Sequence, residues 1–181
     1  WQALVAEAES AADCRLVEEL ESYLVFLLMR YTGRPDLTDN VLAVDYLNGM
    51  LASGHLQRDK LREVGDQCLL YSGLFPDQAE RRRVRISYFV GLGRSAYQQL
   101  STRFANSYAA LYAHLSEDFV ALMDVLHAVR KLGGARPCLA PIPAYELWCD
   151  TGSRQALQAL RETSQGLPLA GVFTRDTRDI H

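Results

Sequence analysis

The chain has 181 residues, enough for one well-buried core and too few for several. A hydrophobic share of 49% and a charged share of 23% exclude a wholly disordered chain. The net charge of -3, from 19 basic and 22 acidic residues, gives no global basic excess that would attract nucleic acid.

The apolar spacing predicts helix almost throughout. The first helix is expected from about Leu4 to Arg30, with Leu16, Leu20, Tyr23 or Leu24, and Leu27 on one face and Gly33 and Pro35 stopping it. Its most apolar run, Tyr23 to Met29, is far short of the roughly 20 residues that cross a bilayer. A second helix, Val41 to Leu51, carries Val44, Leu47 and Leu51 on the stripe expected to be buried, with Asp39 or Asn40 as its cap and Gly54 ending it. A third, about Arg58 to Ser72, aligns Leu61, Val64, Cys68 and Tyr71 before Gly73 and Pro76.

The fourth, about Asp77 to Leu100, contains the stretch Val84 to Val90, whose alternation would also suit a strand. Helix is preferred because Tyr88, Gly91 or Leu92, Ser95 and Gln99 continue at helical spacing. Its small residues Gly91, Gly93, Ser95 and Ala96 predict a close approach by another helix. A fifth helix is expected from Arg103 to Leu115, capped by Ser101 or Thr102. A sixth follows, with Ser116 as its cap and Phe119, Leu122 or Met123, Leu126 and Val129 buried. Three prolines between Arg136 and Pro143 predict an extended connector. Short helices at Ala144 to Asp150 and Ser153 to Glu162 come after it. The expected fold is therefore all-α: one domain over residues 1–166, an irregular bundle of six to eight helices with a Pro-rich connector and short C-terminal helices, then an irregular tail over 167–181.

Among residues that could carry chemistry, Asp66 stands out because it lies in an apolar helix among Val64, Cys68, Leu69 and Leu70. A carboxylate there is either half-exposed, or buried and hydrogen-bonded to an arginine from the Arg81–Arg85 cluster or to a tyrosine hydroxyl. With Tyr88 and Tyr97 it defines a candidate ligand-binding pocket. Arg81, Arg82, Arg83 and Arg85 form a candidate phosphate-binding face, although their place near a helix N-terminus disfavours cations. Asp124 and His127 at i and i+3 resemble half of a di-metal motif that has no second half, and Glu63 with Asp66 is a similar pair. The expectation is no metal and no cofactor. Gly91-Leu92-Gly93-Arg94-Ser95 fails the dinucleotide-loop, P-loop and nucleophile-elbow patterns. Cys14, Cys68, Cys138 and Cys149 are scattered without a C-x-x-C pair, which suits a reducing cytoplasm better than a disulfide framework or a zinc site.

The blocks Leu61-Arg62-Glu63-Val64-Gly65-Asp66, Ser72-Gly73-Leu74-Phe75-Pro76, Tyr88-Phe89-Val90, Gly91-Leu92-Gly93, Ser95-Ala96-Tyr97 and Thr151-Gly152-Ser153 together resemble a group of proteobacterial-type helical proteins with no known activity. The resemblance spans residues 40–168 and implies a bacterial single-domain protein without assigning a site. The functional expectation is a non-enzymatic cytoplasmic protein that acts through a protein partner or as a homodimer. The alternatives are a small-molecule or catalytic pocket at Asp66, Tyr88 and Tyr97 and, behind that, nucleic-acid binding by the four arginines.

Overall fold

A computed structural model describes residues 1–32, 41–103, 108–134 and 139–163. The described residues are all-helical and contain ten helices, more than the six to eight expected: α1 Gln2–Ala11, α2 Glu18–Thr32, α3 Leu42–Leu51, α4 Gly54–Gly73, α5 Asp77–Arg81, α6 Ile86–Arg103, α7 Ala109–Glu117, α8 Phe119–Leu132, α9 Pro141–Thr151 and α10 Arg154–Thr163. No strand occurs among them, so the segment from Val84 to Val90 leads into α6. The expected stops at Gly33 and Pro35, the caps at Asp39 or Asn40, the Arg136–Cys138 part of the connector and the tail from 167 lie outside the described residues.

Two left-handed residues account for most of the extra helices. The single helix expected from Leu4 to Arg30 breaks at Asp13, whose φ is +48°. The Glu9 carboxylate then takes the Leu16 amide at 2.7 Å, and α2 restarts with Glu18, Glu19 and Glu21 in its positive first turn. The helix expected from Asp77 to Leu100 breaks likewise at Arg83, with φ of +55°. The Ser116 cap also proves different. Its hydroxyl donates to the Arg94 carbonyl at 3.0 Å, while Asp118 takes the N-cap position of α8. Pro141 begins α9, so that part of the connector is helical, in keeping with proline's fit in a first turn.

The core is built around α4, which is buried continuously from Val64 to Gly73 and packs along α6. Their close approach depends on two glycines. A Cβ on Gly65 would sit 2.5 Å from the Tyr97 ring, and one on Gly93 would sit 2.6 Å from Phe119 and 2.8 Å from the Cys68 Cβ. The small-residue expectation thus holds for Gly93 and Ala96, whereas Gly91 and Ser95 face outward. Helix α8 is buried from Leu122 to Val129 between α4 and α1, whose Val5 and Ala8 are fully covered. The hairpin of α9 and α10, turned by Gly152 at φ of +74°, closes against α6 and α8.

The stripe expected to anchor α3 faces the other way. Val44, Leu47 and Leu51 are 52%, 59% and 86% exposed. The inward face is Leu42 and Gly49, flanked by half-buried Tyr46 and Met50. Gly49 lets the α4 side chain of Leu61 come in close, which a bulkier residue would prevent.

Candidate functional site

Asp66, near the middle of α4, is 2% exposed and is the acceptor at the centre of a polar cluster. Oδ1 accepts hydroxyl hydrogen bonds from Tyr23 of α2 at 2.5 Å and Tyr97 of α6 at 2.9 Å. Oδ2 accepts from Arg30 Nη1 at 3.2 Å. Arg30 also reaches Glu63 Oε2 at 2.5 Å, while Tyr31 and Gln67 donate to Glu63 Oε1 at 2.8 and 2.9 Å. The expected tyrosine partner is therefore present twice. The arginine, however, comes from α2 rather than from the Arg81–Arg85 segment.

Burial pushes the Asp66 carboxyl up to about 6, against the pull of the two hydroxyls and of Arg30 and Arg62. Burial and the adjacent carboxylate raise Tyr23 and Tyr97 far above the ordinary phenol range, so both remain donors. Burial acts upward on Glu63 too, but the bonds from Gln67, Tyr31 and Arg30 outweigh it and hold its carboxyl low.

Tyr88 does not join this cluster. It is 42% exposed and leans edge-on against Phe89. Nine residues separate it from Tyr97, which at about 100° per residue places the two on opposite sides of α6. Tyr112 of α7 occupies the place expected for Tyr88, stacking on Tyr97 with ring centroids 6.2 Å apart.

Outside Asp66 a cleft of about 360 Å³ opens between α2 and α7. Its walls include Phe26, Leu27, Leu111 and Tyr112, and Arg30, Arg62 and Asp66 contribute its polar lining. It adjoins a shallower depression edged by Glu18, Glu19 and Ser22. The Arg62 Nε atom is buried without a hydrogen-bond partner. Sequence reasoning missed Tyr23, Arg30 and Arg62. The available signals were Tyr23 and Arg30 two turns apart on α2, and Arg62 one turn before Asp66.

The four arginines do not share a helix start. Arg81 ends α5, and the other three lie in the connection to α6. Arg82 lies over the Tyr71 ring at 5.0 Å, and Arg85 pairs with Glu146 at 3.2 Å and Asp150 at 3.7 Å. Asp124 and His127 also diverge. Asp124 accepts from the Ser153 hydroxyl at 2.5 Å and the Arg154 amide at 2.9 Å, holding the start of α10. His127 Nε2 donates to the Ser72 carbonyl at 2.7 Å, and burial lowers its pKa to about 4. No group of three or more potential metal ligands occurs among the described residues, and no helix there is long and apolar enough to cross a membrane.

These two buried groups give opposite responses to acid. Asp66 rises from 3.8 to about 6 on folding, so the folded state takes up this proton first and gains relative stability as pH falls from 6 towards 4. His127 falls from 6.5 to about 4, so its contribution is complete above pH 6.5 and is lost over that same descent. Asp66→Asn removes the first response alone. Urea titrations should show the stability gap between the wild type and this variant widening as pH drops from 7 to 4; a narrowing gap would place the folded carboxyl below its unfolded value.

No family model, curated protein or solved structure matches this chain.

Proposed function

We propose that this protein is a non-enzymatic, cytoplasmic binding protein that works through protein contacts, using the outer row of α3 with a second copy of the chain as partner. The observation that carries this reading is the exposed apolar row Val41, Val44, Leu47 and Leu51, continued by Leu56, which is 58% exposed, at the start of α4. Apolar side chains at three- and four-residue spacing form a seam that another helix can cover. A two-fold pairing needs only one such patch, since the same surface serves both copies. The free thiols of Cys14, Cys68 and Cys149 suit a reducing compartment.

Light scattering is expected to show a dimer at high-micromolar concentration. Leu47→Glu and Leu51→Glu should each give a folded monomer that melts with the wild type at concentrations too low for dimerisation, because both side chains already face water in the single chain. A wild-type protein that remains monomeric throughout that range would overturn the reading. A second reading, a small-molecule site in the cleft between α2 and α7, is favoured by Arg62, which lines that space without an ion pair among the described residues.

A further inference from the structure

Resting on the cleft as a small-molecule site, we propose that it takes a small organic anion: an apolar, ring-containing body carrying one acidic group that pairs with Arg62.

The two guanidiniums in the cleft are in different states. Arg30 is held between Glu63 and Asp66, so its charge is neutralised within the protein. Arg62 makes no ion pair or hydrogen bond among the described residues, yet its Nε is out of reach of solvent. A guanidinium presents its donors in a planar fork that matches an acid group. An anion seated in the cleft that Arg62 lines would balance a charge that no carboxylate pairs with among the described residues. Asp66 opposes it only partly, because Tyr23, Tyr97 and Arg30 already surround both carboxylate oxygens.

The walls define the rest of the ligand. Phe26 and Leu111 supply apolar surface, and the Tyr112 ring closes one side. Phe26 is 71% exposed, a large aromatic left in water at the mouth of a cleft. At about 360 Å³ the space is within the usual range for small-molecule sites and too small for a folded element. Apolar walls with one charged anchor favour an amphipathic monoanion over a sugar or a polyphosphate.

A matched pair of fluorescent probes tests this directly. Anilinonaphthalene sulfonate and phenylnaphthylamine share one aromatic body, and only the first carries an acid group. The sulfonate is expected to bind saturably, about tenfold or more tighter than the neutral probe, since one charge-assisted hydrogen bond is worth at least that factor. Arg62→Gln should abolish that preference and leave the affinity for phenylnaphthylamine unchanged. Phe26→Glu, a surface change that leaves the core intact, should weaken both probes. Circular dichroism confirms that each variant is folded. Equal binding of the two probes, or an unchanged sulfonate affinity in Arg62→Gln, would overturn the anion assignment while keeping the cleft as a binding site. Failure of both probes to bind the wild type would remove the cleft reading itself.

Discussion

Replacing Asp66 by alanine is expected to lower the unfolding free energy by about 2–4 kcal/mol, chiefly from two buried hydroxyls left without an acceptor. The size follows from what is left behind. Tyr23 and Tyr97 lose the acceptor for their buried hydroxyls, and Arg30 keeps only Glu63. Each stranded donor carries its own desolvation cost, and three helices, α2, α4 and α6, lose their common polar tie. Tyr23→Phe and Tyr97→Phe should be milder, about 1 kcal/mol each, because each removes donor and bond together and leaves the carboxylate its other partners. Urea midpoints measured at pH 7 discriminate the outcomes. A loss for Asp66→Ala no greater than that of the single tyrosine variants would mean that the cluster is not cooperative.

The second large effect concerns two glycines one short step apart on α6. Gly91 and Gly93 both weaken the helix by about 1 kcal/mol relative to alanine, so propensity alone predicts that either substitution stabilises. Packing separates them. Gly91 has open space around it, and Gly91→Ala should gain about 0.5–1 kcal/mol. A methyl on Gly93 would instead meet the Phe119 ring at 2.6 Å and the Cys68 Cβ at 2.8 Å, both on buried residues of other helices. Gly93→Ala should therefore be destabilising by about 1–3 kcal/mol despite the propensity gain, the usual range for overpacking a core. Thermal melts of the two variants should move in opposite directions from the wild type; a shared direction would show that α4, α6 and α8 can separate to admit the extra methyl.

The residues themselves show which features were legible in advance. Leu61, Val64, Cys68 and Tyr71 gave away the buried face of α4, because a long helix repeats its pattern often enough to specify a direction. Helix α3 was misread because it is apolar on two sides, and its inner side depends on Gly49, whose contribution is the absence of a side chain. The breaks at Asp13 and Arg83 carry neither proline nor glycine, and nothing in the local pattern requires a left-handed backbone at either position. The neighbours of Asp66 marked it as an acid that was either half-exposed or buried with a partner, and the packing of α2 and α6 over α4 decides for burial. Its arginine was not legible, since Arg30 lies 36 residues away in the chain and only the packing of α2 against α4 decides the pairing. Tyr88 was included by composition, and a count of helical turns places it on the outside.

The docking of α1 onto α8 bears on the order in which the molecule is made. The surfaces that cover Val5 and Ala8 belong to a helix translated far later, and the turn after α1 receives a hydrogen bond from Arg154, 141 residues away. Until α8 has been synthesised, α1 has α2 but not its main native neighbour, and its greasy side stays open to chaperones.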